Sequence, residues 1–135
     1  MVHVNSPAEA VCLHVSQLDP DIDFVDVQQI IQLSRRRYKE LSIRGALVFD
    51  GERIGQLIVG PQVAVADVIG RIEQEPRYRA VRRLHAGTSG GTSAMLTTWS
   101  SGYCGTADLD AVIACNDGDA AVQAFLTLVA NAVMD

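Results

Sequence analysis

The 135-residue chain is 48% hydrophobic and 20% charged, with a formal net charge of −5; that balance predicts one folded domain with its own core and excludes intrinsic disorder. The acidic excess also argues against a general nucleic-acid surface, which needs a basic footprint, and no apolar run approaches the roughly 20 residues of a membrane helix. Met1–Ala10 lacks a basic start and an apolar run, so no secretory leader is expected, and Cys12, Cys104 and Cys115 read as reduced thiols of a cytoplasmic protein rather than a disulfide framework or a metal site.

Val11, Leu13 and Val15 alternate with Cys12 and His14, the period of a first strand that ends near Ser16. Asp23 is a suitable N-cap for a helix from about Phe24 to Leu41, with Val27, Ile30, Ile31 and Ser34 at helical spacing. Arg35, Arg36, Arg37 and Lys39 crowd its C-terminal end, where positive charge complements the helix dipole. Ile43–Phe49 reads as a buried strand. Asp50-Gly51 marks a hairpin centre and Arg53–Val59 the returning strand. Gly60-Pro61 opens a second helix with Val65, Val68, Ile69 and Ile72 on its apolar face, and Pro76 stops it. Val81–Ala86 and Ala94–Ser101 predict a second hairpin around Gly90-Gly91. Asp108–Ala114 and Ala120–Met134 predict two further helices, the last with a wet stripe at Gln123, Thr127 and Asn131.

The order β-α-β-β-α-β(-β) followed by helices predicts an α+β (α/β) fold of the ferredoxin-like kind. Two helices should cover one face of the sheet and the C-terminal helices the other, since a two-layer arrangement leaves apolar strand residues wet. The whole of 1–135 reads as one domain, with a core over about 10–103 and a helical extension over about 106–134.

Gln56 lies between Ile54 and Ile58, which by the period of two turns it inward; a buried carboxamide needs partners. His14 shares a strand face with Cys12 and Ser16. The pair reads equally as a binding site and as a core glutamine bonded to a core histidine. Metal binding needs three or four converging ligands, and none are evident. No Gly-x-Gly-x-x-Gly and no phosphate-binding loop is present, and Ser89-Gly90-Gly91-Thr92 is explained by a hairpin. His85 has no nearby carboxylate to complete a nucleophile triad. No catalytic residue is assigned, and the chain does not read as an enzyme.

Several segments, in order, resemble the BLUF family of blue-light sensors. Ser34-Arg35 followed by Ile43-Arg44-Gly45-Ala46-Leu47 is similar to the family's helix-to-strand passage. Ile54-Gly55-Gln56-Leu57-Ile58-Val59-Gly60 is similar to Phe-x-Gln-x-Leu-Glu-Gly. Arg71-Ile72-Glu73-Gln74-Glu75-Pro76-Arg77-Tyr78 resembles Arg-Ile-x-x-Asp-x-Arg-His, and Leu96–Gly102 resembles Phe-x-x-Trp-x-Met-Gly. The resemblance implies FAD held between the two sheet-packing helices, and a homo-oligomer. It implies a glutamine (Gln56) that relays between the flavin and a tyrosine on the first strand, and an arginine (Arg71) toward the phosphates.

This sequence departs from the family at the centre. The tyrosine position is His14, an imidazole that is a poorer one-electron donor. The Asn-Asn positions are Arg37 and Tyr38, both larger and without the paired donor and acceptor of a carboxamide; each partner lost to a flavin edge in a dry site costs about 1–3 kcal/mol. The methionine position after Trp99 is Ser101. Trp99 is expected to pack against the C-terminal helices, and Arg71 to meet either a phosphate or Glu75 four residues on. The expectation is a non-enzymatic regulatory or protein-interaction module with weakened or lost flavin binding. The alternative is an FAD-binding photoreceptor with an altered site, for which His14, Arg37, Tyr38, Gln56, Arg71 and Trp99 would be the cofactor-binding set.

Overall fold

The computed structural model describes residues 8–88 and 96–135. In chain order the elements are β1 (Ala10–Leu18), α1 (Phe24–Glu40), β2 (Arg44–Phe49), β3 (Arg53–Gly60), α2 (Gln62–Gln74), β4 (Tyr78–Thr88), β5 (Trp99–Tyr103), α3 (Thr106–Ile113) and α4 (Gly118–Asn131). Local chemistry accounts for most boundaries. At the start of α1 the Asp23 carboxylate accepts the Asp26 N–H at 2.9 Å, and Asp26 accepts the Asp23 N–H in return at 3.3 Å, a reciprocal capping box. Pro61 precedes the first residue of α2, and the helix stops before Pro76. On α4, Thr127 donates to the Gln123 carbonyl and Asn131 to that of Thr127, which satisfies the wet stripe along its own helix.

The β2–β3 turn is shifted by one residue from its expected centre. Asp50 N–H donates to the Arg53 carbonyl at 3.1 Å, so the two-residue loop is Gly51-Glu52, with Gly51 at φ 102°. A loop with glycine first needs positive φ there and not at Asp50. Asp50 acts from outside the loop. Its carboxylate accepts the N–H groups of Glu52 at 2.9 Å and Arg53 at 2.6 Å, and the Arg53 Nε–H at 2.9 Å.

The sheet order is β4-β1-β3-β2-β5. The first four strands pair antiparallel, the split βαβ arrangement, and β5 joins β2 in parallel. The second hairpin expected from the sequence is not formed: β4 and β5 occupy opposite edges, and the Gly90-Gly91 centre lies outside the described residues. Two strands flanking glycines look like local partners, but β4 finds its mate in β1, and β5 crosses the sheet to lie beside β2. β4 is also longer than expected, and β5 runs to Tyr103.

Alternation along the strands divides the interior into two layers. Cys12, Leu47, Phe49, Ile54 and Ile58 pack with Val27 and Ile31 of α1 and Val65, Val68, Ile69 and Ile72 of α2. Leu13, Ala46, Val48, Leu57 and Val59 pack with Leu109 and Val112 of α3 and Val122 and Phe125 of α4. Each fully buried aliphatic in these layers contributes about 1.5–3 kcal/mol of transfer free energy. Gly45, at φ 154°, lets β2 approach β3: a Cβ there would lie 1.9 Å from the Leu57 carbonyl oxygen. Among the described residues no helix is long and apolar enough to cross a membrane.

Candidate functional site

The polar exception to the apolar layers lies on the sheet face toward α1 and α2. Antiparallel pairing of β1 and β3 sets His14 directly opposite Gln56, and the period of two puts Ser16 on the same face. His14, Ser16 and Gln56 are each no more than 2% exposed. His14 Nδ1 and Nε2, Ser16 Oγ, Gln56 Nε2 and Trp99 Nε1 are buried without a hydrogen-bond partner. Buried unpaired groups of this kind cost about 1–3 kcal/mol each, so a cluster of them marks a place where the fold is not optimised for packing alone.

Tyr38 roofs this polar layer. It follows Val27, Ile31 and Ser34 on the inward stripe of α1 and is 4% exposed. The Gln56 carboxamide and the Ser34 hydroxyl stand beside the phenol oxygen; burial nonetheless dominates and raises the Tyr38 pKa. Gln56 also stands beside His14, where burial in the apolar layer pulls the imidazole pKa down from 6.5 to about 4 against the opposing effects of Gln56 and Glu73. His14 is therefore a neutral ring at physiological pH.

Trp99 belongs to this same layer, not to the C-terminal helices against which it was expected to pack. Its ring meets Tyr38 edge-on, with centroids 5.5 Å apart and planes at 81°, and it joins the α1/α2 core. The strand crossover explains the difference: β5 beside β2 directs Trp99 toward α1. The Arg35 guanidinium lies over the indole at 5.6 Å and donates to Ser101 Oγ at 2.9 Å, tying the end of α1 to β5.

Above Tyr38, between α1 and α2, a cleft of about 400 Å³ opens to solvent, lined by Ser34, Arg37, Tyr38, Arg71, Arg77 and Tyr78 among others. Its size is in the range of small-molecule sites. Arg37 is exposed at its rim rather than filling its floor. Arg71 pairs with Asp67 at 3.1 Å and not with Glu75, which is bound instead by Arg77 at 2.9 Å. Asp67 and Glu75 are both four residues from Arg71, but α2 ends at Gln74 and Glu75 is its C-cap in extended backbone, out of the helical register that brings Asp67 beside Arg71. Burial raises the Tyr78 pKa, so this phenol stays neutral.

Of the residues singled out from sequence, His14, Gln56, Tyr38 and Trp99 come together, while Arg37 and Arg71 stand apart on the cleft rim. Ser34, Arg35 and Tyr78 were missed as site residues. Ser34 precedes Tyr38 by four residues, the helical spacing that sets both on one face; nothing local distinguishes Arg35 from its neighbours.

A family model, described as sensors of blue-light using FAD, matches residues 10–100. The chain belongs to the BLUF family. No curated protein sequence matches it. Among solved structures, the BLUF protein BlrB in its dark state aligns with a TM-score of 0.73 at 20% identity, over 91% of this chain and 97% of that one. BlsA in a photo-activated state gives 0.72 at 14% identity, over 93% and 98%. Klebsiella pneumoniae BlrP1, solved with FMN and cyclic diGMP, gives 0.57 at 27% identity over 61% of this chain, which spans only 22% of that protein's length. The BLUF family binds flavin, and the α1–α2 cleft is the pocket of this chain that has Tyr38, beside Gln56, in its lining. The fit is incomplete. Gln56 and His14 do not line the cleft; Tyr38 stands between them and it.

Proposed function

We propose that this chain is a non-enzymatic BLUF-type regulatory module, cytosolic, whose flavin seat against Gln56 is closed by its own Tyr38. One observation carries the reading: the phenol is buried beside the Gln56 carboxamide and packed edge-on against Trp99, and it is Tyr38, not Gln56, that lines the cleft. Two further points support it. The strand position opposite Gln56 holds an imidazole that is neutral and a poor one-electron donor. The rim offers Arg37, a donor-only group that can donate to a ring carbonyl but cannot accept from the ring's imide N–H as a carboxamide does.

A second reading is favoured by a different observation. Five unpartnered polar atoms under a cleft of ligand size are what remains when a hydrogen-bonding ligand is taken away. In that reading Tyr38 swings aside and FAD enters an altered photoreceptor site, with Gln56 and His14 meeting its polar edge.

The absorption spectrum of the purified chain, before and after added FAD, separates the two. The first reading expects a colourless protein that ignores FAD. It also expects flavin retention in the double variant His14→Tyr with Tyr38→Asn, which restores a phenol on β1 and a carboxamide on α1. Bound flavin in the wild-type chain refutes closure by Tyr38, and a light-induced red shift of that band establishes the photoreceptor reading.

A further inference from the structure

The two edges of the sheet are protected in different ways. β4 carries Arg79, Arg82 and Arg83, charges of the kind that keep an edge from pairing. β5 holds no charged residue; its cover is a strap from the end of the chain. α4 stops at Asn131, Ala132 is already extended at φ −95° and ψ 157°, and the next residues run antiparallel to β5. The Ser101 N–H donates to the Asp135 carbonyl at 3.2 Å, the Asp135 N–H donates to the Ser101 carbonyl at 2.7 Å, and Met134 bridges to Gly102. The approach needs glycine: a Cβ at Gly102 would lie 2.5 Å from Met134 Sδ and 2.6 Å from the Val133 carbonyl oxygen.

This strap is short and lightly held. Val133 is 90% exposed and Met134 is only partly buried. It pairs with the outward backbone groups of one residue, Ser101. By alternation those of Trp99 and Tyr103 point out from the same edge, and among the described residues no backbone bond is made to them there. Open space flanks the strap on both sides. Toward α1, a pocket of about 500 Å³ is lined by Gln28, Gln32, Arg35, Ser101 and Asp135 among others. Arg35 and Asp135 are its charged residues, and among the described residues they form no ion pair with each other. Toward α3 and α4, a groove of about 1070 Å³ is lined by Ala107, Ala111, Ala124 and Leu128. Gly102, Tyr103 and Asp135 border both spaces.

We propose that the β5 edge is a docking site for an extended segment of a partner protein, an apolar residue followed by a carboxylate, and that the strap is its occupant in cis. The strap itself displays the chemistry the edge takes: an antiparallel backbone, a thioether over Gly102, and an aspartate at the pocket of Arg35. A strand added to an edge sends alternate side chains to opposite faces. One set then enters the apolar groove at the place of Met134, and the next meets Arg35 at the place of Asp135. Main-chain bonds supply the affinity and the two flanking spaces the selection. A segment that spans Trp99 to Tyr103 also gains the backbone groups the strap leaves open, which lets it displace a tethered competitor. The proposal does not depend on whether the α1–α2 cleft holds a flavin.

Nuclear magnetic resonance titration of the full chain with a synthetic peptide of the sequence Val129–Asp135 tests it. Asp135→Pro deletes the N–H given to Ser101 and so frees the edge; its β5 amides should shift with added peptide and saturate. The wild-type chain should bind about tenfold more weakly or worse, because a strap closed about nine-tenths of the time lowers apparent affinity by that factor. A peptide carrying the change Asp135→Lys should bind Asp135→Pro severalfold more weakly. Gly102→Val, whose side chain fills the place of Met134, should not respond. The proposal is overturned if Asp135→Pro ignores the peptide, if it binds no better than the wild type, or if the two peptides bind alike. It is also overturned if a folded Gly102→Val chain binds as Asp135→Pro does, or if Asp135→Pro sediments as a dimer that closes the edge with a second copy.

Discussion

Replacing His14 by leucine isolates the physical state of the buried polar layer. His14 is 1% exposed, both its nitrogens lack a partner, and burial lowers its pKa from 6.5 to about 4. The unfolded chain therefore binds a proton at His14 between those values while the folded chain does not. Stability must fall as pH falls through that window and level off below about 4. Each pKa unit corresponds to about 1.4 kcal/mol, so the full loss is about 3 kcal/mol, of which about 2 kcal/mol falls between pH 7 and pH 5. At a urea dependence of about 2 kcal/mol/M, the wild-type midpoint should drop by about 1 M over that interval. The carboxylates held below their usual range, Glu9 beside Arg44 and Glu75 beside Arg77, lose their contribution only at lower pH. Urea unfolding of both proteins at pH 7 and pH 5 is the assay. His14→Leu should be at least as stable as wild type at pH 7, since no unpaired nitrogen remains buried, and should lose most of the pH dependence. A variant midpoint that drops as far as the wild-type midpoint would mean that His14 is not the neutral, unpartnered ring described above.

Trp99→Ala removes a ring packed on Tyr38 and capped by Arg35, and should cost about 3–5 kcal/mol in chemical denaturation, where a fully exposed indole would cost almost nothing. Asp50→Ala deletes the acceptor for three hydrogen bonds that define the β2–β3 turn, and a loss of about 1–3 kcal/mol is expected from the same measurement. Gly45→Ala drives a Cβ onto the Leu57 carbonyl and should leave little soluble folded protein, as read by circular dichroism after refolding. Burial pushes the Cys12 thiol up to about 11, so it should resist alkylation at pH 8 in the folded chain and react promptly in denaturant; equal rates would place it at the surface.

The elements with local chemistry were legible from sequence. Asp23 and the apolar spacing after it define α1, Pro61 and Pro76 bracket α2, and strict alternation gives the faces of β1 and β3, so that His14 and Gln56 could be set on one side before any pairing was known. What escaped was non-local. Nothing in the residues around Gly90 says that β4 and β5 belong to opposite edges, and the orientation of Trp99 follows from that pairing. The same holds for the site. The substitutions at His14 and Tyr38 were visible, but not that Tyr38 lies buried beneath the cleft while Arg37 stays exposed at its rim. The ion pairs of Arg71 and Arg77 turned on where α2 ends, since Glu75 is its extended C-cap, which equal four-residue spacing left open.

The parallel pairing of β2 with β5 also bears on how the chain assembles. Gly45 meets Trp99 and Phe49 meets Tyr103, partners far apart along the chain, whereas β2 and β3 join through a two-residue loop. Closing so distant a contact is entropically slow, so β5 should dock after the antiparallel strands have formed. Amide hydrogen exchange should then find the β5 protons less protected than those of β1 and β3, with the connection through Arg35 to the roof of the polar layer opening and closing in the same local unfolding event.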